Sequence, residues 1–103
     1  MSTTTQHPRH RLDELLQNAV RFSIVAALDR ASTLSFKEVR DAVEVTDSAL
    51  SKQISTLEAA GYVAVGKSFA GKMPRTSLTL TREGRAAWKD HLATLREIAG
   101  TSS

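Results

Sequence analysis

Seven residues near the middle of the chain, Ser48, Ala49, Ser51, Lys52, Gln53, Ser55 and Thr56, have the types and spacing for hydrogen-bonding chemistry on an exposed helix face. They lie in "TDSALSKQISTLEAAG", Thr46 to Gly61, where Leu50, Ile54 and Leu57 recur at i, i+4 and i+7. At about 100° per residue that stripe fixes the buried side of a helix. Ser48, Lys52, Ser55 and Ala59 then point almost directly away from it. Ser51 and Glu58 fall on one flank, and Ala49, Gln53 and Thr56 on the other. Hydroxyls donate or accept, a glutamine can pair with adenine through two bonds, and a lysine reaches guanine or a phosphate. Short side chains let such a helix sit deep in a groove about 12 Å wide. Past Asp47 its only acid is Glu58, near the far end. A helix that merely supported a core would carry more Glu, Lys and Ala outside, which are better helix formers. The bland alternative is an ordinary polar surface helix, and the neighbouring segments weigh against it.

Those neighbours supply charge. Between Gly61 and Arg82 lie Lys67, Lys72, Arg75 and Arg82 with no Asp or Glu, although the whole 103-residue chain carries only +3. The rest is close to balance. A basic segment on a neutral body is the footprint of a polyanion-binding edge. Lys67, Lys72 and Arg75 are its candidate phosphate contacts.

The elements that must position these groups follow from period and caps. Residues 1–8 are polar, end at Pro8 and read as a disordered arm. "RHRLDELLQN" suits a short helix with Leu12, Leu15 and Leu16 on one side. Asn18 is a candidate N-cap for "AVRFSIVAALDRA", or a kink within one longer helix; Val20, Ile24 and Leu28 share a face. "STLSF" breaks that pattern. Ser35 with Glu38 forms a capping box for "FKEVRDAVE". Thr46 or Asp47 caps the next helix, and Gly61 stands at its left-handed end. The period then changes to two. Val63 and Val65 share one face of "YVAVGKSF", and Leu78 and Leu80 one face of "RTSLTL", with "AGKMP" as turn material, which reads as a β-hairpin. Thr81 caps a last helix with Trp88, Leu92, Leu95 and Ile98 along one face. The expected organisation is an arm over 1–8, one domain over 9–99 and a flexible tail over 100–103. Within the domain lie a helix-turn-helix at about 35–61, a hairpin at about 62–80 and a final helix at about 81–99. The fold class is mainly α with a β-hairpin (α+β). A hairpin directly after a helix-turn-helix is a wing.

Other chemistries find no support. There is no Cys, which removes disulfides and thiolate metal sites and fits a reducing cytoplasm. His7, His10 and His91 make no i, i+4 pair on a helix, so they read as solvated and no metal or other cofactor is expected. "FAGKMP" is too poor in glycine for a phosphate-binding loop and leads into a strand. No Ser, His and Asp positions suggest a nucleophile with its base, so an enzyme is not expected. No apolar run approaches the roughly 20 residues of a membrane span.

The stretch "SFKEVRDAVEVTDSALSKQISTLEAAGYVAVGKSFAGKMPRTSLTLTREGRAAW" resembles the small winged-helix transcriptional regulators of the MarR/ArsR-like group of bacteria and archaea. "LSKQISTLEAAGYV" resembles their recognition helix and the entry to the wing, and "KSFAGKMPRTSLTLTREGRAA" their wing and the start of the last helix. The resemblance implies sequence-specific binding of double-stranded DNA as a homodimer on a palindromic operator. It implies that Ser48, Ser51, Lys52, Gln53 and Ser55 meet DNA and that Lys72 and Arg75 sit on the wing. Metal sensing is not carried over, because the Cys ligands of the metal-sensing members are absent. The chain supplies few partners for a final helix of about five turns. The Trp88–Leu92–Leu95 face is either intramolecular core or a dimer seam, and a symmetric interface of Trp88, Leu92, Leu95 and Ile98 with Leu12, Leu15 and Leu16 is the expected use of both ends. A small-molecule effector would find room between the dimer helices and the winged helix, but no residue specifies one. The competing reading is a winged-helix protein–protein module that binds no nucleic acid; it would more often expose an apolar patch than an acid-free basic wing.

Overall fold

The computed structural model describes residues 6–100. Helix α1 (Ala19–Ala31) is followed by β1 (Thr33–Ser35), α2 (Phe36–Val43), α3 (Asp47–Ala59), β2 (Val63–Ala70), β3 (Met73–Leu80) and α4 (Arg82–Ala99). This is the α+β winged arrangement that the alternation of periods predicts.

Each helix begins where a side chain can take up an orphan N–H. Asn18 Oδ1 accepts from the Arg21 amide at 3.0 Å, and Thr46 Oγ1 from Ala49 at 3.2 Å. Ser35 and Glu38 form the reciprocal capping box, at 3.0 and 2.8 Å. Thr81 Oγ1 accepts from the Gly84 amide at 3.0 Å while donating to the Gly61 carbonyl, so one hydroxyl joins the end of α3 to the start of α4. Three helix ends take a left-handed residue, Gly100 after α4 among them. Gly61 supplies it after α3 at φ 81°, whereas Glu44 carries it between α2 and α3 at φ 61° despite its Cβ.

The sheet is antiparallel in the order β1-β3-β2. Strand β3 pairs with β2 from Val63↔Leu80 out to Ala70↔Met73, and with β1 over three residues. Strand β1 is an addition to the sequence expectation, which left "STLSF" without structure. The hairpin turn is tighter than expected. Only Gly71 and Lys72 lie between the strands, and Met73 and Pro74 already belong to β3. Gly71 has φ 65° while Lys72 does not take a positive φ, the pattern of a type II′ turn.

The core is made by all four helices and by β2 and β3. Ile24, Val25, Leu28, Val39, Leu50, Leu57 and Leu78 are fully buried, with Val63, Leu80, Ile54 and Trp88 nearly so. Each such side chain stabilises the fold by roughly 1.5–3 kcal/mol. Phe22 tilts against Trp88 with ring centroids 4.7 Å apart. Gly84 sits where α4 presses on the root of the wing. A Cβ there would lie 2.3 Å from the Tyr62 carbonyl oxygen, so no larger residue fits without moving backbone.

The N-terminal segment departs from expectation. Instead of one short helix it makes two 3₁₀ turns, Pro8–Arg11 and Leu15–Gln17. Residues 6–8 of the expected arm are described, and His7 Nδ1 accepts from the Arg9 amide to cap the first turn; residues 1–5 lie outside the described residues. Of the expected tail, Gly100 caps α4 at φ 77°, and 101–103 lie outside the described residues. The segment is tied to the body by polar bonds. Asp13 accepts from the Leu15 amide and from the Tyr62 hydroxyl, and its own N–H donates to His91 Nδ1 at 3.1 Å. Burial first, then the Asp13 hydrogen bond, pushes the Tyr62 hydroxyl up to about 12. His91 is only 3% exposed, which corrects its reading as solvated. Burial lowers its pKa, with the Asp13 charge pulling the other way. The described residues span 63 × 25 × 22 Å.

Candidate nucleic-acid interface

The outer face of α3 is set by its inner one. With Leu50, Ile54 and Leu57 buried, Ser48, Ala49, Ser51, Lys52 and Ser55 are all exposed. Gln53 and Thr56 are half-buried. The face carries hydroxyls and one ammonium and no carboxylate until Glu58. Asp47, at the helix start, is held aside by Arg40, whose Nη1 donates to it at 2.8 Å while Nε bonds Asp41 at 3.1 Å. The acid nearest the reading end is thus already paired.

Two of the expected reading groups are partly occupied. Gln53 Oε1 accepts from Arg21 Nη1 at 2.7 Å, and Arg21 Nε donates to the Leu15 carbonyl at 2.7 Å. A two-bond contact with adenine uses that oxygen and the amide nitrogen together, and Arg21 already takes one of the oxygen's two lone pairs and fixes its direction. Thr56 Oγ1 donates to the Lys52 carbonyl at 3.2 Å, which leaves its lone pairs outward.

The hairpin stands beside this face. Lys67, Lys72 and Arg75 are all exposed. Lys67 and Thr76 are cross-strand partners and line, with Ser51, Ser55 and Glu58 of α3, a groove of about 640 Å³ floored by Phe36, Ile54 and Leu78. Next to it, across Phe36 and Thr76, Arg75 and Lys37 face a groove of about 440 Å³ that also holds Met73 and Pro74. Glu38, held below its usual value chiefly by the Ser35 backbone and hydroxyl bonds, also feels Arg75. Lys37, Arg40 and Arg21 are the members that sequence reasoning missed. Lys37 lies on the outer side of the α2 stripe set by Val39 and Val43 and Arg40 on its flank, and both could have been found there. Arg21 could not, because its partners are 6 and 32 residues away.

The far end of the molecule holds the residues expected at an interface, and two of them belong elsewhere. Leu16 is 1% exposed and Trp88 6%, so both are core of the protomer. Phe22 and the N-terminal segment cover them, which leaves almost no area for a partner. Leu12, Leu15, Leu92 and Leu95 are half-buried and Ile98 is 38% exposed. Leu12 and Leu95 flank a cleft of about 320 Å³ with Phe22 and His91 behind it.

Residues 20–99 match the family profile of a winged helix DNA-binding domain. An uncharacterized protein of Methanocaldococcus jannaschii is 24% identical over 86 residues, spanning 84% of this chain and 94% of its own. Among solved structures, a transcriptional regulator homologue from Pyrococcus horikoshii superposes with a TM-score of 0.85 at 25% identity, covering 93% of this chain and 96% of that one. A mutant of Escherichia coli MarR complexed with operator DNA superposes at 0.66 with 19% identity, over 93% and 74% of the two chains.

Proposed function

The chain belongs to the winged helix DNA-binding domain family, and from that premise we propose that it is a homodimeric transcriptional regulator that binds double-stranded DNA in sequence-specific fashion. Helix α3 enters the major groove by its N-terminal turns, and the wing grips the adjacent backbone or minor groove. The observation that carries this reading is the pairing of two surfaces: an exposed α3 face with no free acid at its reading end, beside a wing with three exposed cations and no acid. Ser48, Ala49, Ser51, Lys52 and Ser55 meet base edges or phosphates, with Gln53 and Thr56 on the flank. Lys67, Lys72 and Arg75 hold phosphates. Leu12, Leu15, Leu92, Leu95 and Ile98 form the dimer seam. The relative solved with operator DNA supports the mode of docking. Such a regulator works where the DNA is, in the cytoplasm of a prokaryotic cell.

Two protomers related by a two-fold axis place their α3 helices in successive major grooves, so half-site centres fall about 10–11 base pairs apart. A dimer that neutralises on the order of 6–10 phosphates gives a slope of log affinity against log salt of roughly −5 to −9. Titration of mixed-sequence duplex DNA across salt concentrations tests this, and a flat response between low and physiological salt overturns it. Selection from random duplexes then reads the operator, its symmetry and its half-site spacing together.

A further inference from the structure

Large apolar side chains are seldom exposed among the described residues, and the exceptions are concentrated. Among the described residues the exposed large apolar side chains are Phe69 at 74%, Met73 at 70% and Ile98 at 38%. Two of the three stand at the tip of the wing. Phe69 pairs across the strands with Pro74, and Met73 with Ala70, so the tip is apolar on both faces of the hairpin. A lone exposed apolar residue needs no explanation, but an aromatic, a methionine and a proline grouped on a two-stranded arm do. Neither Phe69 nor Met73 belongs to the core cluster or packs on it, so folding does not require either side chain.

The charges around the tip choose the occupant. Lys72 is in the turn itself, Lys67 lies two residues before Phe69, and Arg75 two residues after Met73. Met73 and Pro74 share their groove with Lys37 and Arg75. An apolar wedge ringed by cations complements a base stack ringed by phosphates. A protein-binding patch would not need that ring of cations.

Resting on the proposed DNA binding, we infer that the wing tip is a deforming wedge. Phe69, backed by Pro74 and flanked by Met73, inserts between base pairs from the minor groove, while Lys72 and Arg75 hold the phosphates on either side. The minor groove is about 6 Å wide, which a two-residue turn enters more easily than a helix does. Apolar side chains inserted there partly unstack a step and kink the duplex. Sequence is then also read through deformability, with pyrimidine–purine steps favoured under the tip although no polar group there reads a base.

The test uses the full chain and a mixed-sequence duplex of about 30 base pairs, labelled with a donor and an acceptor dye at its two ends, at low salt. The wild type raises energy transfer on binding, as a shortened end-to-end distance requires. Phe69→Ala with Met73→Ala binds with an unchanged salt slope, since no charge is removed, but loses most of that gain. Lys72→Ala lowers the salt slope by about 1 per protomer and keeps the gain. Wild type that binds without raising transfer overturns the wedge and leaves the DNA reading standing. A double variant that bends the duplex as the wild type does also overturns it, and assigns the apolar tip to a partner other than DNA. Absence of salt-sensitive binding at any salt overturns both.

Discussion

Helices α3 and α4 look alike in sequence, and their fates in the fold differ. Each carries three large apolar residues at i, i+4 and i+7: Leu50, Ile54 and Leu57 on one, Trp88, Leu92 and Leu95 on the other. On α3 all three are buried and the opposite face is bare. On α4 only Trp88 is buried, and the line that faces the protein runs through Gly84, Trp88, His91 and Thr94. That line is turned away from the apolar stripe, towards His91 and Thr94. Leu92, Leu95 and Ile98 are thereby rotated out towards a surface where solvent, or another copy of the chain, must meet them. An apolar stripe reports which side of a helix avoids water. It does not report whether the same protomer covers that side. The partner of α3 is fixed within the chain, and under the proposed dimer that of α4 is completed by a second copy.

The largest expected effect comes from breaking the α4 side. Leu92→Ser with Leu95→Ser turns a dimer into a monomer by sedimentation equilibrium and lowers affinity for a two-half-site duplex by about 10²–10⁴-fold, because the second half-site becomes a separate binding event. A wild type that sediments as a monomer at micromolar concentration removes the distinction between the helices. Next comes protomer stability. Leu50→Ala or Leu57→Ala costs about 2–5 kcal/mol, since both are fully buried, whereas Leu95→Ala in the isolated protomer costs about 1 kcal/mol or less. Urea midpoints on the monomeric background compare them, and equal losses would show α4 to be core like α3.

The bare face of α3 gives a smaller, position-specific effect. Ser51→Ala shifts preference at particular base pairs by about 1–3 kcal/mol, read by competition between selected duplexes. Arg21→Ala frees the Gln53 amide oxygen and sharpens preference for adenine at its position; an unchanged preference would keep Gln53 out of base reading. The smallest effect is on the buried line of α4. His91 is held neutral by burial, so its folded pKa lies below the unfolded one. Between those two values the unfolded chain binds more protons. Stability is therefore full above the unfolded histidine value and is lost as pH falls below about 6.5, at no more than about 1.4 kcal/mol per unit. His91→Gln keeps an acceptor for the Asp13 amide and flattens that slope in melting curves. A slope that survives the change belongs to another group.

Local chemistry made the helices and the hairpin legible. Asn18, Ser35, Thr46 and Thr81 cap within three residues of themselves, and the strand alternation of Val63, Val65, Leu78 and Leu80 needs no distant information. What escaped depends on distant partners. Three residues of β1 are too few to show a period, and they are a strand only because β3 offers an edge. The segment before α1 has a helical pattern, but Asp13 is claimed by Tyr62 and His91, 49 and 78 residues away, and the chain is bent into 3₁₀ turns. The same long bonds bury His91 and remove Leu16 and Trp88 from the expected seam. At the candidate site, residue types on α3 announced its face. The Arg21–Gln53 bond, between two helices, left no local trace.

The 63 Å length of a molecule only 25 × 22 Å across has a hydrodynamic consequence. A compact domain of this size has a radius of gyration of about 13 Å, and this one has 15.9 Å. So elongated a body drags more solvent than its mass implies. A single protomer therefore elutes early from a sizing column calibrated with spheres and reads as something larger. Only a method that weighs the particle, or that separates sedimentation from diffusion to give a frictional ratio, distinguishes a slender protomer from a rounder pair.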